Sequence, residues 1–212
     1  MTDLSHVRVL AHSAIRIEGE KTVYVDPFHL KEAPQDGDLI LVTHDHYDHF
    51  SPEDIRKAAR KDAVLVIPAS LKETALQAGF PEARILTMGP WENRTVLGVS
   101  VETVPAYNLG KPFHRPEKRW LGYVVTLGGI RYYVAGDTDE NEDNRRVRCD
   151  VALVPVGGTY TMTADEAAVF VNHLKPKAAV PTHYGDIVGS EEDAAHFCRL
   201  LDPEIGSELC RG

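Results

Sequence analysis

The order of secondary-structure signals along the chain restricts its fold more than any other feature. Short apolar segments that predict strands are interleaved with amphipathic segments that predict helices, in two separate stretches. Each helix candidate follows a hydroxyl residue with a carboxylate three positions later, a capping pattern that marks a helix start. The predicted helices are Pro52–Lys61, Leu71–Gly79, Ala164–Leu174 and Glu191–Leu201, capped by Ser51, Ser70, Thr163 and Ser190.

The strand candidates fall into two halves. A meander opens the chain and strand–helix units follow it, and then further strands and strand–helix units repeat the order. Two such halves pack sheet against sheet with their helices outside, so the sequence predicts an α/β (α+β) protein, a four-layer αββα sandwich. The predicted strands are Val7–Leu10, Ala14–Glu18, Thr22–Asp26, Leu39–Thr43, Ala63–Ile67, Arg84–Met88, Thr95–Val104, Trp120–Leu127, Ile130–Ala135, Val151–Val156 and Ala178–Thr182.

Length and charge narrow the class of protein. A chain of 212 residues with no linker predicts one domain over residues 1–212. With 32 acidic and 23 basic residues, the formal net charge of -9 argues against nucleic acid as a partner. No apolar stretch approaches the ~20 residues of a membrane span, and the N-terminus does not resemble a secretion signal. Three widely spaced cysteines favour a reducing compartment, so we expect a cytoplasmic protein with a small-molecule substrate; no feature indicates an oligomer.

The segment Thr43–His49 carries the strongest chemical signal. Three histidines and two aspartates lie between a buried strand and a helix cap, which is where α/β proteins place functional sites. His44 and His46 lean the same way in an extended chain, whereas Asp48 and His49 face a second point. This spacing predicts two metal ions in one pocket, one with nitrogen ligands and one with nitrogen and oxygen ligands. The alternative is a histidine-rich surface loop.

Two later positions offer further ligands. Asp137 follows the predicted strand Ile130–Ala135, and His183 follows Ala178–Thr182. Each residue alone would be an ordinary turn residue. Together they add a carboxylate and an imidazole at the ends of strands of the same type, so we expect both to join the histidine-rich segment.

The spacing of these candidates matches a known family pattern. The run His44-x-His46-x-Asp48-His49, followed by Gly136-Asp137-Thr138 and His183, resembles the metallo-β-lactamase superfamily of binuclear metallohydrolases. The resemblance implies an αββα fold with its site in the cleft at one edge of the two sheets. Further segments resemble the zinc-dependent hydrolase branch similar to L-ascorbate-6-phosphate lactonases: His12-Ser13, Asp26-Pro27, Pro105–Asn108 and Pro155–Met162.

The resemblance also implies a role for each ligand candidate. The implied ligands are His44 and His46 for the first metal, Asp48, His49 and His183 for the second, and Asp137 as a bridge. The family pattern expects a third histidine on the first metal, where this chain has Asn108 in the polar loop Pro105–Arg119. We prefer His114, six residues later, as its replacement. The alternatives are weak ligation by Asn108 and an under-coordinated first site.

The remaining histidines and the cysteines carry weaker signals. By the resemblance His12 either supports a ligand from behind or lines the pocket, and the alternative is a structural histidine with satisfied hydrogen bonds. The cysteines are not expected to be ligands, because thiolate sites use closely spaced pairs. Surface or helix-face positions are predicted for His6, His29, His173 and His196.

The predicted metals determine the reaction. A water between two divalent cations loses a proton near neutral pH, so we expect a metal-bound hydroxide to attack the substrate. Asp48 is the predicted catalytic residue, since it would hold a metal and accept a hydrogen bond from the hydroxide. Zinc is the first expectation for both ions, with manganese and iron as alternatives, because histidine–carboxylate sites accept all three. A catalytically silent metal-binding protein of the same fold is the alternative function.

The loop that borders the predicted metals indicates the substrate. It carries a locally basic stretch from Lys111 to Arg119 on an otherwise acidic chain. A basic rim favours a small anionic ester, lactone or phosphodiester, and the alternative is a solvated loop with ordinary charges. The predicted substrate-binding residues are Asn108, Lys111, Arg115 and Tyr160.

Overall fold

A computed structural model describes residues 2–211. Within this range two β-sheets follow one another along the chain, the first with six strands and the second with seven. The first sheet starts with antiparallel pairs and is parallel from its third strand onward. Its strands are β1 (Val7–Ala11), β2 (Ala14–Ile17), β3 (Val23–Val25), β4 (Gly37–Leu41), β5 (Ala59–Pro68) and β6 (Ile85–Met88).

The second sheet also keeps its strands in sequence order. Its strands are β7 (Asn93–Val96), β8 (Val99–Pro105), β9 (Leu121–Leu127), β10 (Ile130–Val134), β11 (Val151–Pro155), β12 (Ala178–Thr182) and β13 (Gly206–Ser207). The pairs from β7 to β10 are antiparallel and those from β10 to β13 are parallel. The chain therefore leaves β10 and β12 at the same edge of the sheet, where α/β proteins place their ligands.

Both faces of the two sheets are covered. Leu39 and Leu41 of β4 pack with Tyr123 of β9 in the core between the sheets. Ile40 points the opposite way, into the core that the first sheet shares with its helices. Because β4 is buried on both faces, it reads as a continuous apolar run rather than an alternating one.

The helices form the two outer layers. In the described part of the chain they are α1 (Pro52–Ala58), α2 (Lys72–Gln77), α3 (Ala164–Leu174) and α4 (Glu191–Leu200). The first two pack on the first sheet and the last two on the second. The predicted four-layer αββα sandwich is thus confirmed. Among residues 2–211 no helix combines the length and the apolar character that crossing a membrane requires.

Three of the four predicted helix caps are confirmed. The hydroxyls of Ser51, Thr163 and Ser190 each accept a hydrogen bond from the backbone amide three residues later. The prediction for Ser70 is wrong, because this residue lies in a 3₁₀ turn and α2 starts two residues later without a side-chain cap. The first helix also ends at Ala58 instead of Lys61, since the chain becomes extended at Ala59 and enters β5.

The predicted strand Thr95–Val104 is wrong as a single element. It contains a hairpin in which β7 and β8 pair around Leu97 and Gly98. Both turn residues have positive φ, 52° and 88°, as the tight turns that match the twist of a hairpin require. Leucine seldom adopts this conformation, so the glycine was the only residue in the sequence that indicated a turn here.

Candidate metal centre

The seven predicted ligands converge where β4, β10 and β12 end. Two groups can be distinguished by the distances between potential ligand atoms, and Asp137 belongs to both. Site A consists of His44, His46, His114 and Asp137, whose ligand atoms all lie within 4.8 Å of one another. Site B consists of two overlapping trios that meet the same limit: His49, Asp137 and His183, and His12, Asp48 and His183.

The buried carboxylate of Asp26 holds the loop after β4. It accepts hydrogen bonds from the amide and the hydroxyl of Thr43 at 2.7 and 2.6 Å, and from Nδ1 of His49 at 2.7 Å. Nε2 of His49 then lies 3.4 Å from an oxygen of Asp48 and of Asp137. Burial lowers the pKa of His49, but the charges of Asp137 and Asp26 outweigh burial and raise that pKa well above its ordinary value. Proteins orient metal-binding histidines by such a bond to the remote nitrogen.

Asp137 lies between the two sites. Its Oδ2 is 3.2 Å from Nε2 of His114 and 3.1 Å from Nε2 of His183, and its Oδ1 is 3.4 Å from Nε2 of His49. Burial alone would raise the pKa of this carboxyl. Electrostatic attraction to His183 and His49 outweighs burial, and the pKa of Asp137 lies well below its ordinary value. A single carboxylate therefore reaches the imidazoles of both sites.

Trp120 forms a wall of site A that sequence reasoning missed. Its ring centroid lies 4.7 Å from that of His44, 4.9 Å from His46 and 5.6 Å from His114. Burial, followed by the charge of His49, holds the pKa of His44 well below its ordinary value. This shift favours the neutral imidazole, the form that binds a metal. The sequence placed Trp120 only at the start of a strand, and no motif marks it as part of a site.

The structure places His114 in site A and Asn108 behind it. Nδ2 of Asn108 donates to the carbonyl of Tyr160 at 2.8 Å, and the backbone amide of Asn108 donates to the carbonyl of His114 at 2.7 Å. Nδ1 of His114 donates to the same Tyr160 carbonyl at 3.2 Å. Nε2 of His114 is left facing Asp137 and His46, 3.4 Å from Nδ1 of the latter. Asn108 thus supports the loop that carries His114.

His183 enters site B from a left-handed backbone conformation. Its φ is 57°, and its amide donates to the carbonyl of His12 at 2.9 Å. A Cβ on Gly157 would lie 2.4 Å from the carbonyl oxygen of His183, so this approach requires glycine. The ring of His12, which is fully buried, lies over that of His183 with centroids 3.9 Å apart. His12, for which the sequence left two roles open, therefore lies directly beside His183.

Comparison with known proteins identifies the family. A sequence profile described as a β-lactamase superfamily domain matches residues 6–183, a range that contains both sites. The chain belongs to the metallo-β-lactamase superfamily. The superfamily resemblance is confirmed, and the narrower likeness to L-ascorbate-6-phosphate lactonases stays a prediction.

Individual relatives and solved structures resemble the chain over nearly its whole length. A UPF0173 metal-dependent hydrolase of Thermococcus kodakarensis is 35% identical over 92% of this chain and 91% of its own, so the chain belongs to that family of metal-dependent hydrolases. The solved structure of Igni18, a metallo hydrolase from Ignicoccus hospitalis, shares the fold with a TM-score of 0.79 at 21% identity, covering 97% of this chain and 94% of that one. The metallo-β-lactamase fold protein YhfI of Bacillus subtilis has a TM-score of 0.73 at 12% identity, covering 95% and 90%.

The donor atoms of the two sites fit the metal ions that membership of the metallo-β-lactamase superfamily implies. Imidazole nitrogens and carboxylate oxygens are ligands that zinc, manganese and iron accept. Several buried donor atoms have no hydrogen-bond partner in the described part of the chain, among them both ring nitrogens of His12, Nε2 of His49 and Oδ1 of Asp137. Buried polar atoms are normally paired, and a cation between these residues would satisfy one nitrogen of His12 together with Nε2 of His49 and Oδ1 of Asp137.

The predicted substrate-binding residues differ from one another in their surroundings. Nζ of Lys111 lies 2.6 Å from a carboxylate oxygen of Asp139 and 2.5 Å from the carbonyl of Thr161, so it ties the loop to the framework. The ring of Tyr160 is partly exposed and packs against Phe113 at a centroid distance of 4.9 Å. Arg115 is exposed, and residues 2–211 place no carboxylate within 4.0 Å of its guanidinium.

The other histidines and the cysteines lie outside sites A and B. Nε2 of His6 lies 2.5 Å from the hydroxyl of Tyr132, and exposed His29 pairs with Asp186 at 2.7 Å. The cysteines are free thiols. The helical histidines are His173, which is exposed, and His196, which is half-exposed and 3.4 Å from Asp165.

Proposed function

We propose that this protein is a hydrolase that uses two divalent cations to cleave a small anionic ester, lactone or phosphodiester. Zinc is the first candidate for both cations, and manganese and iron are the alternatives. The observation that carries the proposal is the position of Asp137, whose two oxygens lie 3.1 to 3.4 Å from imidazole nitrogens of both sites. A shared carboxylate at these distances suits a pair of neighbouring cations.

Each side chain of the centre has a defined part in this proposal. In site A, the imidazoles of His44, His46 and His114 would hold one cation. In site B, Asp48, His49 and His183 would hold the other, and Asp137 would contact both. Two bound cations would supply Lewis acidity to the scissile group and lower the pKa of a bound water to about 7.

Asp48 is the proposed catalytic residue among these side chains. Its Oδ2 lies 3.4 Å from Nε2 of His49 and 4.0 Å from Nε2 of His183. A carboxylate in this position can accept a hydrogen bond from the attacking water and keep it oriented toward the substrate. The chain then requires no serine or cysteine nucleophile.

The rim of the site supports an anionic substrate. Arg115 follows His114 directly and leaves its guanidinium exposed, which allows it to bind a carboxylate or phosphate in two-point fashion. Lys118 stands over the ring of Trp120, 5.4 Å from its centroid, on the same loop. Lys111 takes a supporting role, since Asp139 and the Thr161 carbonyl occupy its ammonium group.

The proposed setting is the cytoplasm, and the proposed partner is a small molecule rather than a nucleic acid or a membrane. Three free and separate thiols suit a reducing compartment. The net charge of -9 opposes binding to phosphate backbones.

Cation counting combined with activity tests this function. The protein is stripped with a chelator, reloaded with zinc or manganese, and analysed for metal content and for turnover of p-nitrophenyl phosphodiesters and simple lactones. We expect two cations per chain and turnover that is lost on chelation and returns on reloading. One tightly held cation without turnover would instead support the catalytically silent metal-binding protein.

A further inference from the structure

The geometry of site B points to a ligand that neither the sequence pattern nor the proposed function includes. We propose that His12 contributes an imidazole nitrogen to the cation of site B, beside Asp48 and His183. This inference rests on the proposed function, because it requires a cation in the pocket. It adds a residue from the β1–β2 connection, more than 30 residues before the histidine-rich segment.

The burial of His12 is the first observation. Its side chain is fully buried, and neither ring nitrogen has a hydrogen-bond partner within residues 2–211. An imidazole kept from water without any partner is unfavourable. A histidine that serves only to fill the core would direct at least one nitrogen toward a carbonyl or hydroxyl group.

The direction of the ring is the second observation. Nε2 of His12 lies 3.4 Å from Oδ2 of Asp48, which is beyond the usual 2.7 to 3.2 Å range for hydrogen bonds of this type. Ligand atoms of His12, Asp48 and His183 all lie within 4.8 Å of one another. Ligands that each lie about 2 Å from a cation are roughly 3 to 4 Å from one another. Three donor atoms that converge without bonding to each other match this arrangement.

The backbone conformation of His12 and His183 is the third observation. His12 and His183 both have left-handed conformations, with φ of 47° and 57°, and the His183 amide donates to the His12 carbonyl at 2.9 Å. Left-handed backbone at residues other than glycine is uncommon and concentrates at functional sites. Two such residues, joined by a hydrogen bond and directing their rings to the same point, indicate that the fold maintains this arrangement.

The assignment makes the two sites unequal. Site B would have His12, Asp48, His49, Asp137 and His183 as protein ligands, whereas site A would have His44, His46, His114 and Asp137. A site with more protein ligands leaves fewer positions for water or substrate. We therefore expect site B to fill first and hold its cation more tightly, and site A to keep the open position.

Isolation of site B allows a direct test. In a His46→Ala background, which weakens site A, Co²⁺ is titrated into metal-free protein and followed by its absorption spectrum. Adding His12→Ala should reduce the affinity for the remaining cation at least about tenfold. Adding His29→Ala, which changes an exposed histidine outside both sites, should leave that affinity unchanged. Equal affinities for the His12→Ala and His29→Ala proteins would overturn the assignment.

Two further measurements separate ligation from other roles. If His12→Gln restores the affinity that His12→Ala loses, then His12 acts by hydrogen bonding to Asp48, and the assignment fails. X-ray absorption of the Co²⁺-loaded His46→Ala protein requires no change at His12, so it remains informative if the His12 variants do not fold. We expect three imidazoles on the cobalt, from His12, His49 and His183, and two would contradict the proposal. Absence of any bound cation in the unaltered protein would instead refute the proposed function itself.

Discussion

Sites A and B share Asp137 but are built in different ways. Site B is enclosed by the framework: the Asp26 carboxylate holds His49, and Gly157 leaves room for the backbone of His183. Site A depends on the long loop after β8, which supplies His114 and is fastened by side-chain contacts. A centre of this kind can therefore combine one position enclosed by the framework with one that a loop supplies.

Substitution of the residue that the two sites share should change metal binding and turnover most. Asp137→Asn should reduce cation binding at both sites and lower turnover to the level of the chelated protein, because the amide lacks the negative charge that both groups of imidazoles face. Metal analysis after dialysis measures the loss. Asp165→Asn, at an exposed carboxylate near His196, is the control and should retain both cations. Retention of both cations by Asp137→Asn would mean that the sites do not depend on a common bridge.

Substitution of His114, the ligand that the loop supplies, should affect only site A. His114→Ala is expected to remove the cation of site A and leave that of site B, so metal content falls by half and turnover is lost. The control is His29→Ala. A second histidine position can also be tested, because the family pattern places a histidine where Asn108 stands: Asn108→His combined with His114→Ala should recover part of the lost metal. If His114→Ala keeps both cations, the loop does not supply a ligand.

The next largest effect is expected from the carboxylate that supports site B. Asp26→Asn removes the charge that orients His49, and a change in such a supporting group weakens metal affinity about 10- to 100-fold. Competition with a chromogenic chelator can resolve this loss, which should fall on the tighter of the two binding steps. Asp38→Asn changes another buried carboxylate, one that binds the Thr22 amide away from the centre, and should leave both steps unchanged. A loss confined to the weaker step would reverse the order that we assign to the two sites.

The smallest effect concerns a position remote from both sites. Leu97→Asn places a residue that tolerates left-handed backbone at the first turn position of the β7–β8 hairpin, and should raise the free energy of unfolding by about 1 kcal/mol. Urea denaturation measures the gain. Cation affinity should not change, so this variant separates the free energy of unfolding from the affinity of the two sites. Leu200→Asn, on an exposed helical position, should give no such gain.

Local signals predicted most of the framework. The capping pairs at Ser51, Thr163 and Ser190 depend on residues three apart, and the apolar run of β4 reflects burial on both faces. The positions of Asp137 and His183 follow from one local rule, since each comes just after a strand of a parallel set. These features need no knowledge of distant contacts.

The features that the sequence did not reveal depend on contacts between distant residues. His12 reaches the centre only because its backbone pairs with His183, 171 residues later, and Lys111 is occupied because Asp139 and Thr161 meet it across the fold. Trp120 lies beside the imidazoles because two loops from different sheets converge. The narrower likeness to lactonases, the division into one domain and the roles of individual ligands remain predictions.

The ligands of each site come from opposite sides of the sandwich. His44, His46 and His49 follow a strand of the first sheet, whereas Asp137 and His183 follow strands of the second. A cation in either position would therefore cross-link the two halves of the chain, and an ion that binds only the folded protein stabilises it in proportion to the logarithm of its concentration. Metal supply would then govern how long the protein survives heating, in addition to whether it can act on a substrate.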